Sequence, residues 1–431
     1  MEQHPRGVDR ISSIPSVLLH RILCLLPIRE AARTSILSRQ WRYIWTFIPT
    51  LNFVNDSKSK TKRKKNPLYN CNWGQIIDKV LLLHNGPIFG FHLQNTLEIN
   101  IDDIDQWVVF ITKRGLQQLT IHCSCSGAPY KLHSSLFLCS SLVCLKLVLC
   151  EFQIPIGFVG FCSLKYMSLK HVYVSDEALE SVVSKSPFLK QLVLEKCRGL
   201  SFINVNAPEL LSFHIVGEFH DIKMNHSPNL KHLRICWDYG VPQNCMLNRV
   251  LKGKTKLQSL CLAGAYIEDL LDRMAERFLT TYDYLKVLNL SVESLCIDTI
   301  KEISFLLRSS PYLEALHLKI CNDPVMECEE SRILEIDVDM EAKYEIRGFL
   351  WKTLECDSIT CLGCLRRVEI QSPFTYMEDM EIVAFLLQHA EVLNVLHIKI
   401  SECENKDRQL RIVKRLASFP RASPHAKLFF K

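Results

Sequence analysis

Residues 186–197 read SPFLKQLVLEKC. Leu192 and Leu194 alternate with Val193, so the two leucines share one face of a short strand and Val193 lies on the other. Pro187 disfavours helix at the residue before it, so any helix arriving from upstream stops at Ser186. Leu179, Val182 and Val183 arrive at i, i+3 and i+4, an apolar helical stripe. A helix halted by proline and followed by a five-residue strand is about one supersecondary unit, too small to hide its own apolar face. The question is whether neighbouring units cover it.

The chain answers by repetition. The spacing L-x-x-L-x-L, with Ile, Met or Phe substituting, occurs at Leu116/Leu119/Ile121, Leu142/Leu145/Leu147, Leu164/Met167/Leu169, Leu189/Leu192/Leu194 and Leu210/Phe213/Ile215. It continues at Leu230/Leu233/Ile235, Leu257/Leu260/Leu262, Leu285/Leu288/Leu290 and Leu313/Leu316/Leu318. Successive first leucines are 26, 22, 25, 21, 20, 27, 28 and 28 residues apart, the range of a leucine-rich repeat (LRR) of irregular length. Ser-Pro-x-Leu recurs at Ser227 and Ser310. Cys150, Cys197 and Cys321 stand three residues after a last leucine, where a small buried side chain serves the turn. Each repeat is read as a strand plus a helix or irregular crossing, stacked into a curved solenoid. The residue between the last two leucines then faces the concave side: Thr120, Lys146, Ser168, Val193, His214, Arg234, Cys261, Asn289 and His317. Concave solenoid faces bind partners, so Lys146, His214, Arg234, Asn289 and His317 are the candidate substrate-surface residues.

The N-terminal segment is apolar in a different pattern. Pro15 opens a helix in which Leu18, Ile22, Leu25 and Leu26 fall at i, i+4, i+7 and i+8. Pro27 ends it, REAARTS forms a short second helix, and Ser38 is placed to cap a third carrying Leu37, Trp41, Ile44 and Trp45. Three such helices hold more apolar surface than about 40 residues can bury. SIPSVLLHRILCLLPIREAARTSILSRQWRYIW resembles an F-box of the plant type, through Ile22-Leu23, Leu26-Pro27, Ser35, Leu37-Ser38, Trp41 and Trp45; Ile14 replaces the usual leucine before the proline. The resemblance implies docking to a Skp-type adaptor, and through it to a cullin, by Pro15, Leu18, Leu19, Ile22, Leu23, Leu26, Pro27, Leu37 and Trp41. The partner would supply the missing half of the core.

Beyond Leu318 the spacing breaks at an acid-rich stretch and resumes at Leu365/Val368/Ile370 and Leu393/Leu396/Ile398, 28 residues apart. Between these, Val383, Leu386, Leu387 and Ala390 form one helical face. FLLQHAEVLNVLHI and the terminal FPRAS resemble the FBD domain of plant F-box proteins, although the family's glycine is missing near Tyr376. The expected fold is α/β: a three-helix F-box (9–49), a basic linker leading into the array (50–92), an irregular LRR solenoid (93–321), an acidic insert (322–349) and an FBD cap (350–431).

Composition bounds the chemistry. With 48% apolar and 23% charged residues the chain reads as a folded, soluble protein. MEQHPRGVDR has no apolar run behind it, so no secretory signal is expected, and no window is long and apolar enough to span a membrane. The 19 cysteines then read as reduced thiols, in nucleus and/or cytoplasm. Lys58, Lys60, Lys62, Arg63, Lys64 and Lys65 form one basic run; setting those six aside leaves 46 of the 52 basic residues against 46 acidic ones. The excess is a loop and not a face, which speaks against nucleic-acid binding. Lys62, Arg63, Lys64 and Lys65 are a nuclear-signal candidate, equally compatible with a solvated linker.

No catalytic motif stands in the chain. Gly253-Lys254-Thr255 lacks the earlier P-loop glycine, Asn248 occupying its place, and no Gly-x-Ser-x-Gly occurs. Cys361-x-x-Cys364, with Cys356 and His389, is a single pair without a second at zinc spacing, so neither metal nor other cofactor is expected. The family resemblance implies a non-catalytic substrate-recognition subunit of an SCF-type ubiquitin ligase, with an unidentified protein target. Two alternatives remain open: a scaffold or nuclear regulator outside such a ligase, and a small-molecule sensor.

Overall fold

A computed structural model describes residues 14–53, 73–94, 99–123, 128–237, 250–251, 254, 256–264, 281–293, 295, 297–321, 362–374, 377–400 and 406–431. The basic run and the acidic insert lie outside the described residues. The chain divides into two compact units, residues 1–200 and 201–431.

The first unit begins with α1 (Ser16–Cys24) and α2 (Ile28–Arg33), then 3-10 turns at Thr34–Ile36 and Ile44–Phe47. Pro15 and Pro27 cap the two helices, each offering its carbonyl to two N–H groups of the first turn. The third helix expected after Ser38 is absent as an α-helix: residues 39–43 are turns, and Ser38 Oγ makes no hydrogen bond. Short helices draw their stability from packing rather than propensity, and burial of Trp41 and Trp45 is achieved here by the turn geometry.

The sheet of this unit starts at β1 (Thr50–Phe53) and runs through β2 (Gly90–Gln94), β3 (Gln118–His122), β5 (Cys144–Val148), β7 (Tyr166–Lys170) and β8 (Gln191–Glu195), all parallel neighbours; β4 (Tyr130–Lys131) and β6 (Cys150–Glu151) form a separate pair. The array therefore begins at Thr50, ahead of the first repeat signature, directly after the N-terminal helical segment. Helices α3 (Trp73–Leu83), α4 (Ile101–Thr112) and α5 (Asp176–Ser184) cover its back. The indole Nε1 of Trp107 on α4 donates to Asp78 on α3 at 2.7 Å.

The second unit has a back pair, β9 (Phe202–Asn206) and β11 (Asp221–His226), and a sheet ordered β10 (Ser212–Gly217), β12 (His232–Trp237), β13 (Ser259–Ala263), β14 (Val287–Val292), β15 (Ala315–Ile320), β16 (Arg367–Ser372), β17 (Val395–Ile400) and β18 (Lys427–Phe430). All pairings are parallel. Helices α6 (Ile297–Arg308), α7 (Met377–His389) and α8 (Lys406–Ala417) are its helical crossings among the described residues.

The leucines of every signature are buried, and each fully buried Leu or Ile contributes about 1.5–3 kcal/mol. Ser-Pro-x-Leu works as read at two sites. Helices α5 and α6 stop before Ser186 and Ser310, whose carbonyls accept from the N–H of Leu189 and Leu313. At Ser227 the element before the proline is strand β11 instead of a helix; Ile222 and Met224 alternate inward with period two. Cys150 and Cys197 are turned inward, their thiols donating to the carbonyls of Val148 and Leu169, whereas Cys321 is exposed, contrary to the reading of its position.

The junction across the acidic insert is an ordinary repeat junction. The Lys286 carbonyl accepts from Glu314 and Ala315, and the Glu314 carbonyl accepts from Arg366 and Arg367 at 3.0 and 3.1 Å. The missing glycine near Tyr376 is met by Phe374, which takes the left-handed conformation (φ 52°). Its N–H donates to Ser372 Oγ, Ser372 donates to Asp379, and Arg408 donates to the Phe374 carbonyl. FPRAS folds back on α7, the Ala422 N–H reaching the Leu387 carbonyl at 2.8 Å.

The turn leaving a strand is left-handed at Leu149, His171 and Lys196 in the first unit and at Gly217 and Gly264 in the second. At Gly264 a Cβ would stand 2.4 Å from the Trp237 carbonyl oxygen of the neighbouring strand, while at Gly157 (φ 83°) it would meet open space. Gly157→Ala is therefore expected to cost about 1 kcal/mol, the conformational penalty alone. Gly264→Ala should cost about 3 kcal/mol or more, because strand β12 must also move. Equal urea midpoints for the two variants would show that the turns do not set the inter-strand approach.

Candidate functional site

Two surfaces of the molecule are built for contact. The first is the N-terminal helical segment. Leu19, Leu23, Ile28, Ala31, Trp41, Trp45 and Ile48 make its core. Helix α1 carries a second apolar stripe, Leu18, Ile22 and Leu25, on the face turned away from that core, and Leu25 is 85% exposed. Val17, Ile36, Leu37, Tyr43 and Phe47 are exposed as well, with Ile36 at 88%. Eight large apolar side chains thus face solvent within residues 17–47. Isolated exposed apolar residues are ordinary; a contiguous set is the mark of a contact surface. Between α1 and the turns lies an open groove of about 560 Å3 lined by Val17, His20, Arg21, Tyr43, Ile44 and Phe47. His20 fixes its floor, its Nε2 donating to the Phe47 carbonyl at 3.0 Å.

The residues expected to meet an adaptor divide accordingly. Leu18, Ile22 and Leu37 are exposed, Leu26 is half-buried, and Pro15 and Pro27 are exposed at the helix starts. Leu19, Leu23 and Trp41 are turned into the segment's own core, Trp41 at 5% exposure, and do not reach its surface. The residues implied for docking come from both stripes of α1; leucines at 18 and 19, and Ile22 beside Leu23, in fact serve opposite sides. Val17, Tyr43 and Phe47 were missed, since aromatic residues beside Trp41 and Trp45 read equally well as core.

The second surface is the outer face of the sheets. Parallel register places His214, Arg234, Cys261, Asn289, His317, Glu369, His397 and Phe429 in one row across β10 to β18. His214, Arg234, Asn289 and His317, 20, 55 and 28 residues apart in sequence, are thus gathered within one sheet. Lys146 belongs to the corresponding row of the first unit, with His92, Thr120, Ser168 and Val193; its ammonium lies 5.0 Å from the centre of the Tyr166 ring. His317 Nδ1 is 3.1 Å from Glu369 Oε2, and His397 stacks on Phe429 at 5.0 Å. A groove of about 360 Å3 opens on this face around Arg234.

Among the described residues no group of three His, Cys, Asp or Glu side chains is disposed to hold a metal, and no helix is long and apolar enough to cross a membrane. Cys356 and Cys361 of the single C-x-x-C set lie outside the described residues, as do Lys62, Arg63, Lys64 and Lys65. His389 donates from Nδ1 to the Phe385 carbonyl within its own helix. Lys254 is buried, donating to the Met224 carbonyl at 3.0 Å, a packing role far from any phosphate loop.

Comparison with known proteins bears on both surfaces. A family model of the F-box domain matches residues 11–50. A second, describing the LRR repeats of the FBD-associated F-box protein At5g56370, matches residues 104–318. The chain is 31% identical over 434 residues to the F-box/FBD/LRR-repeat protein At1g13570 of Arabidopsis thaliana, covering 98% of each. It is 25% identical to the FBD-associated F-box protein At3g52670 of the same plant, over 98% of this chain and 97% of that one.

The two stripes of α1 are separable by experiment. Leu23→Ala, in the core, is expected to cost about 2–5 kcal/mol of stability. Ile22→Ser, one residue away on the exposed face, should change it by under about 0.5 kcal/mol. Chemical unfolding of the full chain measures both, and a large loss for Ile22→Ser would place that side chain in the core.

Proposed function

The chain belongs to the F-box/FBD/LRR-repeat proteins of plants, and from that premise we propose that it is a substrate-recognition subunit of an SCF-type ubiquitin ligase. F-box proteins with leucine-rich repeats act generally as non-catalytic subunits of such ligases. The observation that carries the reading here is the set of eight exposed apolar side chains on a segment that matches the F-box. Leu18, Ile22, Leu25 and Leu37, with the groove edged by Val17, Tyr43 and Phe47, form the adaptor face; Leu19, Leu23 and Trp41 hold the helices that present it. The outer faces of the sheets receive the target. Catalysis then consists of proximity: a target tethered beside the ligase's transferring subunits reacts at high effective concentration.

Replacing Leu18 and Ile22 together by Asp should abolish capture of a Skp-type adaptor, a loss of about 2 kcal/mol or more, while leaving the unfolding midpoint in place. Unchanged capture would remove the adaptor face from α1. Capture of adaptor without cullin would instead support a scaffold outside the ligase.

The basic run serves localisation in this reading. Deleting Lys58–Lys65 from a fluorescent fusion should lower its nuclear share and leave its melting temperature unchanged. An unaltered distribution would reduce the run to a solvated linker, and a large thermal loss would mean that it packs.

A further inference from the structure

Two thiols, Cys123 and Cys150, meet inside the first unit. Cys123 follows β3, and its N–H donates to the Val148 carbonyl at 3.1 Å. The neighbouring strand β5 ends at Val148, and the chain turns at Leu149, left-handed at φ 58°. Cys150 then opens β6, paired in register with Tyr130 of β4. Its thiol has two acceptors close by, the Val148 carbonyl at 3.3 Å and Cys123 Sγ at 3.9 Å. Sulfurs 27 residues apart in sequence are thus held in contact where two repeats join. The turn itself asks for one small buried side chain only. Cys197 fills the corresponding place in its own repeat with its thiol on the Leu169 carbonyl at 3.4 Å, so packing of the turn accounts for Cys150 and leaves Cys123 unexplained.

The surroundings give the two sulfurs different roles. Cys123 receives hydrogen bonds, and Cys150 gives one. The Cys123 thiol is pulled below its ordinary value, first by the hydrogen bond from Cys150, against burial, with the Tyr130 N–H adding to it. The Cys150 thiol is pushed well up, first by that same hydrogen bond and then by burial. The thiolate is the nucleophile in sulfur chemistry, so attack begins at Cys123, with a second thiol already beside it. Exposure runs in the same order, 7% at Cys123 and none at Cys150. A disulfide holds its sulfurs about 2.05 Å apart, so the side chains have about 2 Å to close from their present contact.

We infer that Cys123 and Cys150 form a redox-active dithiol that hydrogen peroxide converts to a disulfide. The Cys123 thiolate attacks one oxygen of the peroxide. The O–O bond breaks, Cys123 becomes a sulfenic acid, and the other oxygen departs as hydroxide. The Cys150 sulfur then attacks the Cys123 sulfur; the S–S bond forms, the S–O bond breaks, and the hydroxyl leaves. The protons given up by the two thiols turn both hydroxides into water. Two thiols and one peroxide thus yield one disulfide and two water molecules. The bond ties the repeat of β3 to the one that follows it, and in a compartment that keeps thiols reduced it is transient.

The test uses the full-length chain, fully reduced and then given equimolar hydrogen peroxide. Remaining thiols are alkylated, and the chain is digested and weighed by mass spectrometry without reductant. A Cys123–Cys150 cross-link should exceed every other pairing at least about tenfold, and dithiothreitol should reverse it. Cys24, Cys162 and Cys321 are exposed and should stay free for alkylation. Cys125, outside the described residues, and Cys162 share tryptic peptides with Cys123 and Cys150, so Cys125→Ser and Cys162→Ser, which should both keep the cross-link, assign the bond. Cys150→Ala should leave Cys123 as a sulfenic acid that dimedone labels, whereas Cys123→Ala should leave Cys150 unlabelled. Unfolding midpoints of the reduced variants identify any that misfold, and the measurement on the unaltered chain stands without them. Oxidation of the exposed three, or of the half-exposed Cys236 and Cys261, ahead of this pair would mean that exposure alone sets reactivity and would overturn the inference. A cross-link formed only after unfolding in urea would do the same, as would dimedone on Cys150 in place of Cys123.

Discussion

Everything in the two sheets depends on parallel strand pairing between repeats that cannot close on themselves. A parallel strand finds its hydrogen-bond partners only in strands a whole crossing away. Here that crossing is one repeat, so each strand is satisfied by the repeats before and after it. The pairing is enforced at most strand starts by a carbonyl that accepts two successive N–H groups of the next repeat, as Val143 does from Lys165 and Tyr166, and Gln258 from Lys286 and Val287. Once those bonds fix the register, inward leucines stack on inward leucines. A slip of one residue would turn every leucine of a strand to solvent, which is why the register survives repeats of unequal length and the long acidic insert before β16.

The N-terminal segment has the same deficit without a neighbour of its own kind. Its helices are too short to stand on propensity, and Pro15 and Pro27 make up for this only at the helix starts. The core built by Leu19, Leu23, Trp41 and Trp45 uses one side of α1 and leaves the stripe at Leu18, Ile22 and Leu25 in water. A repeat answers such a stripe with the next repeat. This segment has β1 following it directly, packed at the other end through Phe89 and Gly90 on the Pro49 carbonyl. The exposed stripe is what an external partner would complete.

What could be read in the sequence follows from these rules. The leucine spacing locates β3, β5, β7, β8, β10 and the strands from β12 to β17, because period two and a repeating interval are both visible in a linear string. Strand β1 escaped because TLNF has only Leu51 and Phe53 of the signature and the basic run follows at once. Strands β9 and β11 were open to a reading as crossings of either kind; FINVN and DIKMNH alternate, but an alternation of two residues is weak against the Ser-Pro that elsewhere ends a helix. The turns at Leu149, His171 and Lys196 carry no glycine to announce a left-handed backbone. They are held by the ladder, the N–H groups of Leu149 and His171 reaching carbonyls of the following strands. The third F-box helix was inferred from Ser38 as a cap and from the helical spacing of Leu37, Trp41, Ile44 and Trp45, yet Ser38 does not cap and turns with a 3-10 segment bury both tryptophans.

Binding chemistry was legible only in part, and for a physical reason. A residue between two inward leucines is free of the core, so the fold places almost no demand on its identity. The repeat spacing already sets His214, Arg234, Asn289 and His317 in one row, but it says nothing of the groove or of the His317–Glu369 pair, which depend on side-chain placement. The same freedom gives the face its meaning. Where packing dictates a side chain, its chemistry reports on packing. Where packing is silent, a departure from the average of the chain reports on something else. The inward rows of the second unit are leucine, isoleucine, valine and phenylalanine except at Gly217, Trp237 and Ser372, which end their strands. The outward rows gather arginine and lysine with a single carboxylate, in a chain whose charges otherwise balance, and self-repulsion among like charges on one face works against the fold.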